Sequence, residues 1–142
     1  EVSKKASEKK KTNVIALELP KGKIITGKQT DLLSPASSVI INAIKELSKI
    51  PDEINLLSPT ILEPILKLRK NNNTLSLQEV LIALAVCSVT NSSIASALEK
   101  LEVLKDCEAH ATYIVTNGDL KALKSLKINL TCEPNFYSKE IM

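Results

Sequence analysis

Aromatic side chains are almost missing from this sequence. Of its 142 residues only Tyr113, Phe136 and Tyr137 are aromatic, and tryptophan is absent. A core must therefore be built from leucine, isoleucine, valine and alanine. The aromatic platforms on which single-stranded nucleic acids stack are excluded. Glycine is scarce as well, with 3 residues, so positive-φ turns have few natural sites. His110 is the only histidine, and any imidazole chemistry rests on it. The cysteines Cys87, Cys107 and Cys132 are an odd number and cannot all pair within one chain. No apolar run has the length of a membrane span, and no N-terminal segment has the pattern of a signal peptide. The expected location is the cytoplasm, with reduced thiols and no membrane partner.

Charge is present but unevenly placed. The net charge is +3. Lys4, Lys5, Lys9, Lys10 and Lys11 against Glu1 and Glu8 account for all of it, so the remainder is neutral and has no basic face. No nucleic-acid partner is expected. Residues 1–13 read as a lysine-rich linker or lead-in, 14–137 as one α/β domain and 138–142 as a tail. With 44% hydrophobic and 25% charged residues, the composition is globular and the length suffices for a real core. The chain does not begin with Met, as expected of a piece of a longer protein.

The pattern predicts a mixed α/β (α+β) fold. Val14 to Leu19 and residues 23–28 read as strands around the turn residues Pro20-Lys21-Gly22, which makes a β-hairpin. Ser34-Pro35 starts a helix running to Leu47, and Pro51 closes that element. Ile54 to Leu57 reads as a short buried strand. Ser58-Pro59 starts another helix, which Pro64 should kink or shorten. Asn71-Asn72-Asn73 is a loop. Ser76-Leu77-Gln78-Glu79 is a capping box. The helix behind it, Leu77 to Val89, is almost wholly apolar, so it should be central and buried on most sides. Ile94 to Leu104 is one more amphipathic helix. Ala109–Val115, a helix from Asn117 to about Leu126, and Ile128–Cys132 form a C-terminal βαβ unit, ended by Pro134. Hairpin, helices and βαβ unit together give a small mixed sheet.

Three signals touch on chemistry. Gly22, Gly27 and Lys28 have the spacing of a phosphate-binding loop, but Gln29 stands where Ser or Thr should hold Mg²⁺. Ile24-Ile25 inside the spacer read as strand, whose N–H groups are committed to neighbours, so no nucleotide and no cofactor is expected here. Cys107, His110 and Cys132 offer zinc-ligand types with a C-x-x-H spacing. Against this, residues three apart on an extended segment face opposite ways. Buried cysteines and a strand-edge histidine explain the same residues, and no metal is expected. Third, ligands in sheets with parallel strands sit beyond the carboxyl ends of the strands. That edge gathers Thr116, Asn117 and Glu133, joined by Ser58 if Ile54–Leu57 is a parallel strand. Ser58 and Asn117 are equally good N-caps. No set of residues amounts to a catalytic constellation.

Several segments together resemble a known group. They are Ala16-Leu17-Glu18-Leu19-Pro20 with Gly22-Lys23-Ile24-Ile25-Thr26-Gly27-Lys28, Leu56-Leu57-Ser58-Pro59 with Glu63-Pro64-Ile65, Glu79-Val80-Leu81-Ile82-Ala83-Leu84, Cys107-Glu108-Ala109-His110, and Asn129-Leu130-Thr131-Cys132-Glu133-Pro134. In these the chain resembles, over about residues 14–137, the C-terminal domain of the bacterial domain-of-unknown-function family number eighteen forty-six. The resemblance implies a longer protein whose N-terminal part carries its own glycine-rich, phosphate-loop-like segment. In that family the Gly22–Lys28 segment is often followed by Thr or Ser, from which Gln29 departs, and the loop at Asn71–Asn73 is shorter than usual. No established activity comes with the resemblance.

The reading is then a non-catalytic C-terminal domain. It packs on its own N-terminal nucleotide- or substrate-binding part and self-associates as a homo-oligomer in one version. Half of an enzyme site along the strand ends is the alternative, and a zinc-binding domain the second alternative. The near-absence of polar residues on Leu77–Val89 predicts an uncovered apolar patch, on that helix or on a flank of the Ser34–Leu47 helix.

Overall fold

The computed structural model describes residues 13–68 and 74–133. The lysine-rich lead-in, the Asn71–Asn73 loop, Pro134 and the tail lie outside the described residues.

Alternating side chains make the sheet. β1 (Val14–Glu18) and β2 (Ile24–Lys28) pair antiparallel, with Ile15 opposite Gly27 and Leu17 opposite Ile25. The turn between them closes with Gly22 N–H donating to the Leu19 carbonyl at 2.9 Å. Pro20 sets the entry. Lys21 and Gly22 both take positive φ, 80° and 89°, and only Gly22 does so without a steric cost. β3 (Glu108–Ala111) lies antiparallel on the other side of β1, and β4 (Asn129–Cys132) runs parallel to β3. The sheet order is β2-β1-β3-β4, so the predicted hairpin and βαβ unit meet at the central strand. Ile15, Leu17, Ile25, Ala109 and Ala111 join one buried core. The other face carries exposed Glu18, Ile24, Glu108, His110, Asn129 and Thr131.

α1 (Pro35–Leu47) starts as its Ser-Pro signal predicts, with Ser34 Oγ accepting from Ser37 N–H at 3.3 Å. It lies against β2 so closely that a Cβ on Gly27 would overlap the backbone of Val39. α2 (Pro59–Lys67) continues through Pro64. α3 (Leu77–Ser88) carries the predicted capping box, Ser76 N–H donating to Glu79 Oε1 at 2.9 Å. α4 (Ser92–Glu99) passes into a 3₁₀ turn at Lys100–Leu104, where one continuous helix was expected. α5 (Asn117–Ser125) bridges β3 and β4.

Four expectations need correction. α1 stops before Pro51. Lys49 takes φ 60°, and Ile50 N–H donates to the Lys45 carbonyl while Lys49 N–H donates to that of Glu46, a Schellman end with lysine in the position glycine usually holds. α5 ends the same way at Lys127, φ 62°. Ile54–Leu57 is not a strand. Leu56 and Leu57 drop singly into the core while Ile54 is 51% exposed, and the outer strand β2 already gives its Thr26 carbonyl to Asn42 Nδ2 at 3.0 Å. β3 ends at Ala111, not Val115, because β1 offers it no ladder beyond Val14. α3 is not buried on most sides: Ile82 is 57% and Val86 67% exposed, while Leu77, Val80, Ala83 and Leu84 are buried and Leu81 and Cys87 pack partly against the core.

Gly27→Ala should destabilise the domain by about 1–3 kcal/mol, the usual cost of forced overpacking. Urea denaturation with an unchanged midpoint would show that α1 can step back freely.

Candidate functional site

Helix starts determine the polar edge of the sheet. The N-termini of α1, α3 and α5 open onto one cleft of about 720 Å³ beyond the end of β3, lined among others by Ser34, Ser76, Glu79, Tyr113, Thr116 and Asp119. Aligned peptide dipoles make such ends attractive to anions. Here they are already answered from within. Asp119 is buried, and its Oδ1 accepts the Leu77 N–H at the start of α3, at 2.8 Å. Glu79 takes the Ser76 N–H. Thr116 Oγ1 accepts from Asp119 N–H at 3.5 Å. Among the described residues, no lysine, arginine or histidine lines the cleft. Tyr113 stands beside it, its phenol pushed well above 10 by burial and then by the nearby charges of Asp119 and Cys132.

Of the residues expected at this edge, only Thr116 lines the cleft. Thr116, not Asn117, caps α5, and Asn117 is its first helical residue. Ser58 belongs elsewhere. Its place here depended on a strand at Ile54–Leu57 that does not form, and its Oγ pairs with Thr60 Oγ1 at 2.7 Å without capping α2. Glu133 turns to the open face of the sheet, where its Oε1 meets His110 Nδ1 at 2.7 Å. The signal missed in the sequence was Asp119, two residues into a helix and indistinguishable there from an ordinary first-turn carboxylate.

The three candidate zinc ligands are spread along the sheet. Cys107 lies on the buried side with Ala109 and Ala111, and His110 on the opposite side. Cys132 is level with Ala111, four residues along from Cys107, roughly 13 Å at the rise of a strand. Burial, and then Asp106, Glu18 and Glu108, raise the Cys107 thiol pKa, and its Sγ lies 3.6 Å from the Val103 carbonyl. No cluster of three ligand-type side chains occurs among the described residues. The Gly22–Lys28 segment is the second arm of the hairpin, its backbone paired with β1, and Gly27 serves the seat of α1.

An apolar face is the most developed surface feature. Between α2 and α3 runs a groove of about 280 Å³ lined by Ile61, Ile65, Ile82, Ala83, Val86 and Cys87, with Glu79 the sole charged residue among the described ones. Val89, 83% exposed, follows on at the end of α3. This matches the uncovered patch that the apolar α3 sequence predicts. No helix among the described residues is long and apolar enough to cross a membrane.

A family model described as "Domain of unknown function DUF1846, C-terminal" matches residues 1–142. A UPF0371 protein of Clostridioides difficile (strain 630) is 45% identical over 133 residues, which is 90% of this chain and 26% of the relative. One of Clostridium tetani (strain Massachusetts / E88) is 41% identical over the same shares. One of Clostridium botulinum (strain Langeland / NCTC 10281 / Type F) is 39% identical over 145 residues, 99% of this chain and 29% of the relative. The chain thus spans about a quarter of the length of the curated relatives it matches.

Asp119→Ala should cost about 1–3 kcal/mol, because it strands the buried Leu77 N–H, whereas Asp119→Asn keeps an acceptor and should cost less. Equal urea midpoints for the two variants would contradict this. For Tyr113 the folded pKa is raised, so its contribution is whole below pH 10 and lost as pH climbs toward the folded value. Above pH 10 wild-type stability should fall more steeply with pH than that of Tyr113→Phe. Parallel slopes would refute the shift.

Proposed function

This chain belongs to the DUF1846 C-terminal domain family, and on that footing we propose that it is a non-catalytic docking domain of a longer bacterial protein. Its occupant is the rest of that protein, seated on the α2–α3 groove. The observation that carries the reading is the apolar, nearly uncharged strip of Ile61, Ile65, Ile82 and Val86. A contiguous apolar patch rimmed by polar residues marks an interaction site. About three quarters of the length of the relatives lies outside the matched region, which supplies a partner always present at high effective concentration. The polar cleft favours this reading over an active site, since its helix ends and carboxylates are spent on one another. A cytoplasmic location belongs to the same proposal, supported by Cys87, Cys107 and Cys132 all being free. Self-association would use the same groove.

The double variant Ile82→Glu, Val86→Glu alters exposed positions and should leave the circular dichroism of the chain unchanged. Added in trans to the remaining part of the longer protein, the wild-type chain should co-elute on size exclusion and the variant should not. Co-elution that survives the substitutions would overturn the assignment. Sedimentation of the chain alone as a dimer that the same variant dissolves would give the groove to a second copy instead.

A further inference from the structure

A second cavity, of about 360 Å³, lies between α1, β2 and the segment leading to α2. It holds a lysine where lysine is costly. Lys45 is only 5% exposed, and a buried ammonium requires partners. Its Nζ donates to the Asp52 carbonyl at 2.9 Å, which occupies one of three N–H donors. Among the described residues no carboxylate lies within ion-pair distance of it. Ser38 and Asn42 share its stripe of α1, seven and three residues earlier. Ser38 is more than nine-tenths buried and its Oγ has no partner. Asn42 has one amide donor engaged with Thr26. Lys28, the last residue of the phosphate-loop-like segment, lines the same cavity. The facing wall is apolar, made by Leu56, Leu57 and Leu62.

We propose that this cavity binds a small aliphatic monocarboxylate, its head on Lys45 and its chain against Leu56, Leu57 and Leu62. Among the described residues, the charged ones lining the cavity are Lys28, Lys45 and Asp52, a balance of one positive charge that a single carboxylate neutralises. A phosphate dianion would overshoot that balance. Among the described residues it would also find no arginine fork, the geometry that recognises it bidentately. The volume is near the lower end of small-ligand sites, roughly 300–1,000 Å³, which fits a few carbons and a head group. Stapling the Asp52 loop to α1 explains one donor of Lys45 and leaves the others, and the Ser38 hydroxyl, unexplained. The cavity is separate from the α2–α3 groove, so the two assignments stand or fall independently.

The test is a titration of butyrate into the ¹⁵N-labelled chain, followed by the amides of Ser38, Asn42, Lys45 and Leu57. Saturable shifts confined to this region are expected. Butan-1-ol, the uncharged analogue, should bind at least about tenfold more weakly, the scale of a hydrogen bond to a charged group. Lys45→Met should abolish butyrate binding. Should that variant fail to fold, Lys28→Gln at the rim, which should weaken butyrate binding about two- to fivefold by removing one partly screened charge, carries the test. Absence of saturable shifts, equal affinity for butan-1-ol, unchanged binding in Lys28→Gln, or tighter binding of inorganic phosphate would each overturn the proposal.

Discussion

At Gly27 the backbone of β2 meets the backbone of α1 at Val39 with no side chain between them. Close-packed interiors transmit such a constraint, because neighbouring groups have no slack to absorb a shift. α1 is the hub that it positions. Ser37 Oγ donates to the Leu75 carbonyl at 3.0 Å, Ser34 N–H reaches the same carbonyl, and Leu75 N–H donates to Leu32. These bonds, with the isolated bridge between Leu33 and Leu75, bring the segment before α3 alongside the segment before α1. The seat of one glycine thus sets the relation of the hairpin to the helical layer.

A second economy concerns helix ends. With three glycines in the chain, two Schellman ends fall on Lys49 and Lys127, each bearing the steric cost of a side chain in the left-handed region. At the N-termini of α1, α3 and α5, hydroxyl caps and two carboxylates satisfy first-turn N–H groups. Asp119 does this for a helix other than its own. The arrangement holds α3 and α5 together through a polar bond in a core otherwise built of aliphatic groups. It also neutralises what would have been the natural anion site of this topology.

The other two surface features lie apart from the cleft beyond β3. The apolar surface lies on α2 and α3, away from the sheet. The unexplained buried charge lies under α1. Among the described residues, the face of the sheet opposite the core carries two cross-strand polar pairs, His110 with Glu133 and Asn129 with Glu108, beside exposed Ile24.

Local patterns were legible in the sequence where their cause is local. The hairpin follows from alternation around Pro20-Lys21-Gly22. The helix starts follow from Ser34-Pro35, Ser58-Pro59 and the Ser76–Glu79 box. The βαβ unit follows from two apolar runs with a helix between them. The uncovered patch was foreshadowed by α3 having more apolar residues than one stripe can bury. What failed depended on distant partners. Ile54–Leu57 has strand composition but no free strand edge, and a strand exists only by pairing. Nothing in the local pattern sets Asp119, Lys45 and Ser38 apart, and only packing reveals that they are buried. Ser58, Asn117 and Glu133 were drawn to one edge by analogy and are parted by tertiary geometry. The hairpin, the capped helix starts and the family were readable along the chain, because turns, caps and periodicity act over a few residues. Tertiary structure alone decided which polar groups lose their water, because burial is a property of chain segments far apart in sequence.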